Sequence, residues 1–221
     1  LAPPLGDGDE LLIVDPPADM AGFVLPERTA VVRTCRSEQP LPSGAARVEL
    51  QPGGVAHIRL GEHLLDIYAQ QGGALVHLPE LGLLCSGELA SNRLPPRLAP
   101  GSDGAAELDA LRLCARLVRE GRVRMLIPHV GDLVEAPTAM MERLADDVAY
   151  IHALRRSMQA ALAQLAESKT GPGQMASGQA EGAPLNGADA HLPSGRSDAA
   201  SRAVHAANLH TMRLAAANRQ N

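Results

Sequence analysis

Aromatic side chains are nearly absent from this sequence, with two Tyr, one Phe and no Trp in 221 residues. A core must therefore be assembled from Leu, Val, Ile, Met and Ala, and few rings remain on which nucleic-acid bases could stack. A basic face is missing as well. The 20 Lys+Arg and 25 Asp+Glu are interspersed and give a formal net charge of -5, so no nucleic-acid partner is expected. Long apolar runs are lacking too: stretches such as Leu11–Val14 and Leu81–Cys85 fall far short of the roughly 20 residues a membrane-spanning helix needs. No membrane partner is expected. Cysteine is sparse and odd in number, with only Cys35, Cys85 and Cys114, which does not make a disulfide scaffold. No basic-plus-apolar leader opens the sequence, and the expectation is a cytoplasmic protein. Leu1 is not an initiator Met, which leaves a processed start and a longer parent chain both open.

What is present divides the chain in two. From about Ser168 the residues are Gly, Ala, Ser, Asn, Gln and Pro with few large apolar side chains, too little burial to offset the entropy of ordering. Ser168–Asp198 reads as a disordered linker. Ala199–Gln220 is Ala-rich, and Val204, Leu209, Met212 and Leu214 form too thin an apolar set for a stable isolated helix. The expected organisation is one domain over 1–167 and a low-complexity tail over 168–221.

Within the domain, Glu10–Asp15 and Thr29–Thr34 are short apolar, β-branched runs that read as buried strands. Further strands follow at Ala46–Leu50, Val55–Leu60, His63–Ala69, Ala74–Leu78 and Gly82–Cys85. The turn signals between them are Pro52-Gly53-Gly54, Gly61-Glu62, Gly72-Gly73 and Pro79-Glu80, a spacing that implies antiparallel hairpins. Helical periodicity starts at Ala105, with Leu108, Leu111, Cys114 and Val118 on one stripe, Asp103 before the first turn and Gly121 after the last. A strand at Val123–Ile127 precedes a second helix over Thr138–Glu167. Its apolar positions are Met141, Leu144, Val148, Ile151, Met158, Leu162 and Leu165. The order predicts an α+β or layered fold. The stripe on the second helix packs on the sheet before Arg155, and beyond Arg155 it is equally suited to pairing with another helix.

Five segments, in order, carry a further signal. They are Asp7-Gly-Asp-Glu-Leu-Leu-Ile-Val-Asp15, Thr34-Cys-Arg-Ser-Glu-Gln-Pro-Leu-Pro-Ser-Gly44-Ala45, Leu78-Pro-Glu-Leu-Gly-Leu-Leu-Cys-Ser-Gly87-Glu88, Ile127-Pro-His-Val-Gly131-Asp132 and Asp147-Val-Ala-Tyr150-Ile-His-Ala-Leu154-Arg155. Their outline and order resemble the metallo-β-lactamase superfamily over roughly residues 7–166. The resemblance implies a layered αββα fold in reduced form, with a mainly antiparallel sheet packed with helices.

It also implies where a metal site would be. Active members hold zinc or iron, which polarises substrate and generates a hydroxide. Carried over by position, the ligand places of the family fall on Cys35, Ser37, Gln39 and Pro40, then on Ala69, Glu88 and Val130. Only Cys35 and Glu88 carry metal-binding groups, and two do not make a zinc site. The resemblance therefore implies no metal cofactor and no metal-dependent hydrolase. The residues left to form a vestigial cleft are Cys35, Glu88, His129 and Asp132.

Each has a plainer reading. Cys35, beside Arg36, is a thiol near a cation or a small filler at a strand end. His129 is a displaced ligand or a solvated loop residue, Glu88 is an ancestral ligand that binds nothing, and His57, His63 and His77 are sheet-surface residues. Two functions follow from the resemblance. One is a non-catalytic relic serving as a binding or interaction module. The other is a hydrolase of a small ester, thioester or lactam with an altered site. The reduced sheet would leave an edge for a second protomer or a partner protein to cover.

Overall fold

The computed structural model describes residues 10–14, 28–33, 46–169, 192–193 and 195–218. Strands β1 (Glu10–Val14), β2 (Arg28–Arg33) and β3 (Ala46–Glu49) form one sheet in that order. Both pairings are parallel, Leu12 opposite Ala30 and Val32 opposite Val48. The hairpin spacing that suggested an antiparallel partner for 46–50 does not apply, because β3 completes this parallel sheet instead of pairing with its successor.

The second sheet holds β4 (Val55–Leu60), β5 (His63–Gln70), β6 (Gly73–Leu78), β7 (Leu83–Gly87) and β8 (Met125–Pro128) in sequence order. Its first three pairings are antiparallel hairpins, as expected, and β8 lies parallel to β7. Leu60 pairs with His63 across a two-residue turn in which Gly61 takes φ 60, the conformation that a tight hairpin requires at its first turn position.

Helix α1 (Ala105–Arg119) follows β7, and α2 (Pro137–Lys169) follows β8. The backbone N–H of Ala105 donates to Asp103 Oδ1 at the start of α1. At its end Arg122 N–H reaches Leu117 O and Gly121 N–H reaches Val118 O, with Gly121 at φ 68, a Schellman stop. The predicted stripe Leu108, Leu111, Cys114 and Val118 is buried throughout. It packs with Leu75, Leu84 and Leu126 of the sheet and with Met140, Leu144, Ile151 and Leu154 of α2. This is a mixed α/β architecture with sheet packed against helices.

The C-terminal stretch departs from the sequence reading. Ala199–Asn218 is helix α3, with Val204, His205, Asn208 and Met212 buried against the domain. Counting large apolar side chains misses it, because polar groups do much of the docking. Residues 170–191 and 194 of the expected linker lie outside the described residues.

Candidate functional site

Strands β7 and β8 run parallel and finish together. Gly87 lies opposite Pro128, with a register shift after Cys85, and the N–H of His129 donates to Gly87 O at 2.7 Å. Gly87 has φ 59, and a Cβ there would stand 3.2 Å from Ala74 O, so the turn out of β7 suits glycine. Glu88 and His129 thus leave the sheet side by side, at the carboxyl ends of the parallel pair, where open α/β sheets commonly bind ligands.

A cavity of about 620 Å³ opens beside this rim. Its wall comes from β6, the ends of β5 and β7, the first turns of α1 and Val14 of β1, with Ala74, Val76, Leu89 and Ile127 supplying apolar surface. Two polar side chains in the wall are already engaged. Ser86 Oγ donates to Leu89 O at 2.7 Å, while Glu107 accepts from Ala99 N at 2.9 Å and Ser102 Oγ at 2.6 Å. Glu88, Arg97 and His129 are exposed where they border the space. Cys85 also faces it, and burial pushes its thiol pKa up, away from the reactive thiolate.

The sequence candidates separate. Glu88 and His129 both border the cavity, whereas Asp132 belongs to a loop clasp and does not line it. The N–H of Asp132 donates to Asn92 Oδ1, and Asn92 Nδ2 returns a bond to Asp132 Oδ2, both at 2.9 Å. The Asn92 bond, with Arg93 beside it, holds the Asp132 carboxyl below its ordinary pKa. Val130 is exposed, and Ala69 is buried in β5. Cys35, Ser37, Gln39 and Pro40 lie outside the described residues. At the family ligand positions that are described, only Glu88 carries a donor, and among the described residues no three His, Cys, Asp or Glu side chains group to hold a metal ion.

Two polar groupings were not legible as such. His57, Asp66 and His77 form one row across β4, β5 and β6. His57 Nδ1 lies 2.7 Å from Asp66 Oδ1, and His77 Nδ1 lies 3.6 Å from Asp66 Oδ2. His77 is fully buried, so it is not a sheet-surface residue, and His63 instead meets Glu80 at 3.1 Å. The second grouping surrounds Asp147 on α2, which accepts from Ala90 N and from Arg196, each at 2.6 Å. Nearby, Asn208 Nδ2 donates to Tyr150 Oη at 3.0 Å and to Pro96 O at 2.8 Å, and Tyr150 Oη lies 2.9 Å from His205 Nδ1. The helical spacing from Leu144 through Asp147 to Ile151 and Leu154 was a usable sign, since it puts the carboxylate on the buried stripe.

No protein-family model matches the sequence. No curated protein matches it either. Among solved structures, the chain is similar to a stereoselective inverting sec-alkylsulfatase from Pseudomonas sp., at 17% identity and TM-score 0.47, covering 80% of this chain and 28% of that one. It is similar to a metallo-β-lactamase family protein from Thermus thermophilus, at 18% identity and TM-score 0.37, covering 76% of this chain and 50% of the other. A metallo-β-lactamase from Pontibacter korlensis is similar at 17% identity and TM-score 0.31, covering 53% and 58%. The chain therefore spans between 28% and 58% of the lengths of these three proteins.

Proposed function

We propose that this protein is a reduced metallo-β-lactamase-like module without metal-dependent catalysis, which binds a ligand with an apolar body in the cavity beside Gly87 and His129. The observation that carries the reading is the wall itself: it is mainly apolar, its interior Ser86 and Glu107 are committed to backbone and Ser102, and its charges sit at the rim. Such a wall rewards removal of apolar surface from water and offers the interior little means to activate water. The ordered landmarks between residues 7 and 166 support the family part of the reading, because their Gly87-Glu88 and Ile127–His129 segments border one rim.

The alternative, a hydrolase with an altered site, draws support from the placement of Glu88 and His129 on the border of one cavity. One set of measurements separates the two. Titration with 1-anilinonaphthalene-8-sulfonate is expected to show saturable binding that Val76→Trp, placed in the cavity wall, abolishes. Elemental analysis after dialysis and ester, thioester and β-lactam hydrolysis with and without chelator are expected to show neither a bound metal nor chelator-sensitive turnover. About one metal per chain with chelator-sensitive turnover would promote the hydrolase.

A further inference from the structure

We propose that residues 195–218 act as a strap that sets one wall of the cavity, so that ligand occupancy and docking of α3 are coupled. The inference rests on the reading of the cavity as a binding site. The segment from Glu88 to Leu98 contributes Glu88, Leu89 and Arg97 to the cavity border. From Arg93 to Leu98 its backbone is held by the C-terminal segment. Ser201 Oγ donates to Arg93 O at 3.0 Å, Arg196 donates to Leu94 O at 3.2 Å, and Asn208 both donates to Pro96 O at 2.8 Å and accepts from Leu98 N at 2.9 Å. All four bonds come from the C-terminal segment. A fifth, from Ala90 N to Asp147, depends on it indirectly, because Asp147 is itself paired with Arg196.

The held segment also contains a strained residue. Ala90 has φ 60, and among the described residues it is the only non-glycine with positive φ. A side chain in that region persists when its surroundings over-determine it, and here they are the buried Asp147 carboxylate on its N–H and the core around its methyl. Ala90 directly follows the two cavity residues Glu88 and Leu89. None of Asp147, Arg196, Ser201 or Asn208 lines the cavity, so their effect is on the position of Glu88–Leu98 and not on the ligand. They are positioning residues. By linkage, a ligand that favours the held arrangement must also tighten α3 on its seat, and loss of the strap must weaken the ligand by the same factor.

The test uses the full chain and 1-anilinonaphthalene-8-sulfonate, with hydrogen–deuterium exchange as the second readout. Saturation with the probe is expected to slow amide exchange within 199–218 about threefold, although these residues do not border the cavity. Asn208→Ala and Arg196→Met are expected to weaken probe binding by up to about threefold, the reciprocal of the same coupling, and to speed exchange across 89–98 about tenfold, with β5 and α1 still protected. Arg196→Lys, which keeps a cation beside Asp147, is expected to restore most of the affinity. Probe binding that leaves exchange in 199–218 unchanged would overturn the strap while the cavity reading stands. Absence of saturable probe binding would overturn the cavity reading and the strap with it. If both variants fail to fold, the exchange measurement on the unaltered chain still decides.

Discussion

Asp147 and Arg196 form an ion pair at 2.6 Å with both side chains almost completely removed from solvent, 0% and 3% exposed, across 49 residues of sequence. Burial pushes the Asp147 pKa up to about 6, against the opposing pull of Arg196 and of the Ala90 N–H. Desolvation therefore outweighs the attraction, and the pair fixes where the C-terminal segment sits more than it adds to stability. An apolar pair would bind as well but would accept many registers. A charge that must find one partner accepts one.

The first prediction follows from that asymmetry. Arg196→Met leaves Asp147 buried without its counter-charge and is expected to destabilise the protein by about 3–5 kcal/mol, the usual cost of removing one partner of a buried pair. Adding Asp147→Asn removes the stranded charge and should recover at least half of the loss. Urea unfolding of the single and double variants measures both. A single-variant loss below about 1 kcal/mol would show that Asp147 finds another partner.

The pH dependence has a definite sign. The folded-state pKa of Asp147 lies above the ordinary aspartate value of about 4, so the folded protein holds this proton more tightly than the unfolded chain does. Its contribution to stability is fully present below about pH 4 and is lost as pH rises through about 6, a change on the order of 2–3 kcal/mol. The carboxylates of Asp132 and Asp198, held low by their hydrogen bonds to Asn92 and Ser201, act in the opposite direction at lower pH. The informative quantity is therefore the difference between the parent and Asp147→Asn. Between pH 4.5 and pH 7 the parent is expected to lose stability relative to the variant, as read from urea midpoints at each pH.

Two backbone positions are expected to respond differently to exchange of alanine and glycine. At Gly104, with φ 86, a Cβ would stand 2.6 Å from Ile151 Cγ2 and 3.3 Å from Met212 Cε, where α1 begins against α2 and α3. Gly104→Ala is expected to cost about 1–3 kcal/mol. Ala90→Gly removes strain at φ 60 but adds freedom to the unfolded chain, and the two effects should leave stability within about 0.5 kcal/mol of the parent. Thermal unfolding compares them directly.

Helices α1 and α2 were legible because their apolar stripes repeat at helical spacing, and the β4–β7 hairpins because Gly61-Glu62 and Pro79-Glu80 punctuate alternating strands. The parallel partner of Val48 was not, since pairing with Val32 joins strands well separated in sequence, and strand propensity carries no register. The strap was missed for a different reason. Asn208, Arg196 and Ser201 look like solvated residues by composition, yet each spends its polar groups on buried backbone or on Asp147. At the site, the landmark order named Glu88 and His129, and both border the cavity. Asp132 instead lies beside Gly131, at φ 112, and bonds Asn92.

Cysteine chemistry gives the last prediction. Cys114 is fully buried on the inner face of α1, and burial pushes its thiol up to about 12. Cys85 is half-buried and borders the cavity, with its thiol pushed up to a lesser degree by the same cause. Alkylation needs the thiolate and a path to it, and Cys85 has the advantage over Cys114 in both. In a Cys35→Ser background, N-ethylmaleimide at pH 8 is expected to label Cys85 slowly and Cys114 only on global unfolding, read by mass spectrometry of tryptic peptides. Saturating 1-anilinonaphthalene-8-sulfonate should slow Cys85 labelling about fivefold if it fills the cavity, since the occupied fraction cannot react. Equal labelling of the two cysteines in native protein would mean that the α1 face opens as readily as the cavity, and the packing of Leu111 and Leu117 around Cys114 would then be loose. Unchanged labelling of Cys85 under probe saturation would place the probe elsewhere on the protein.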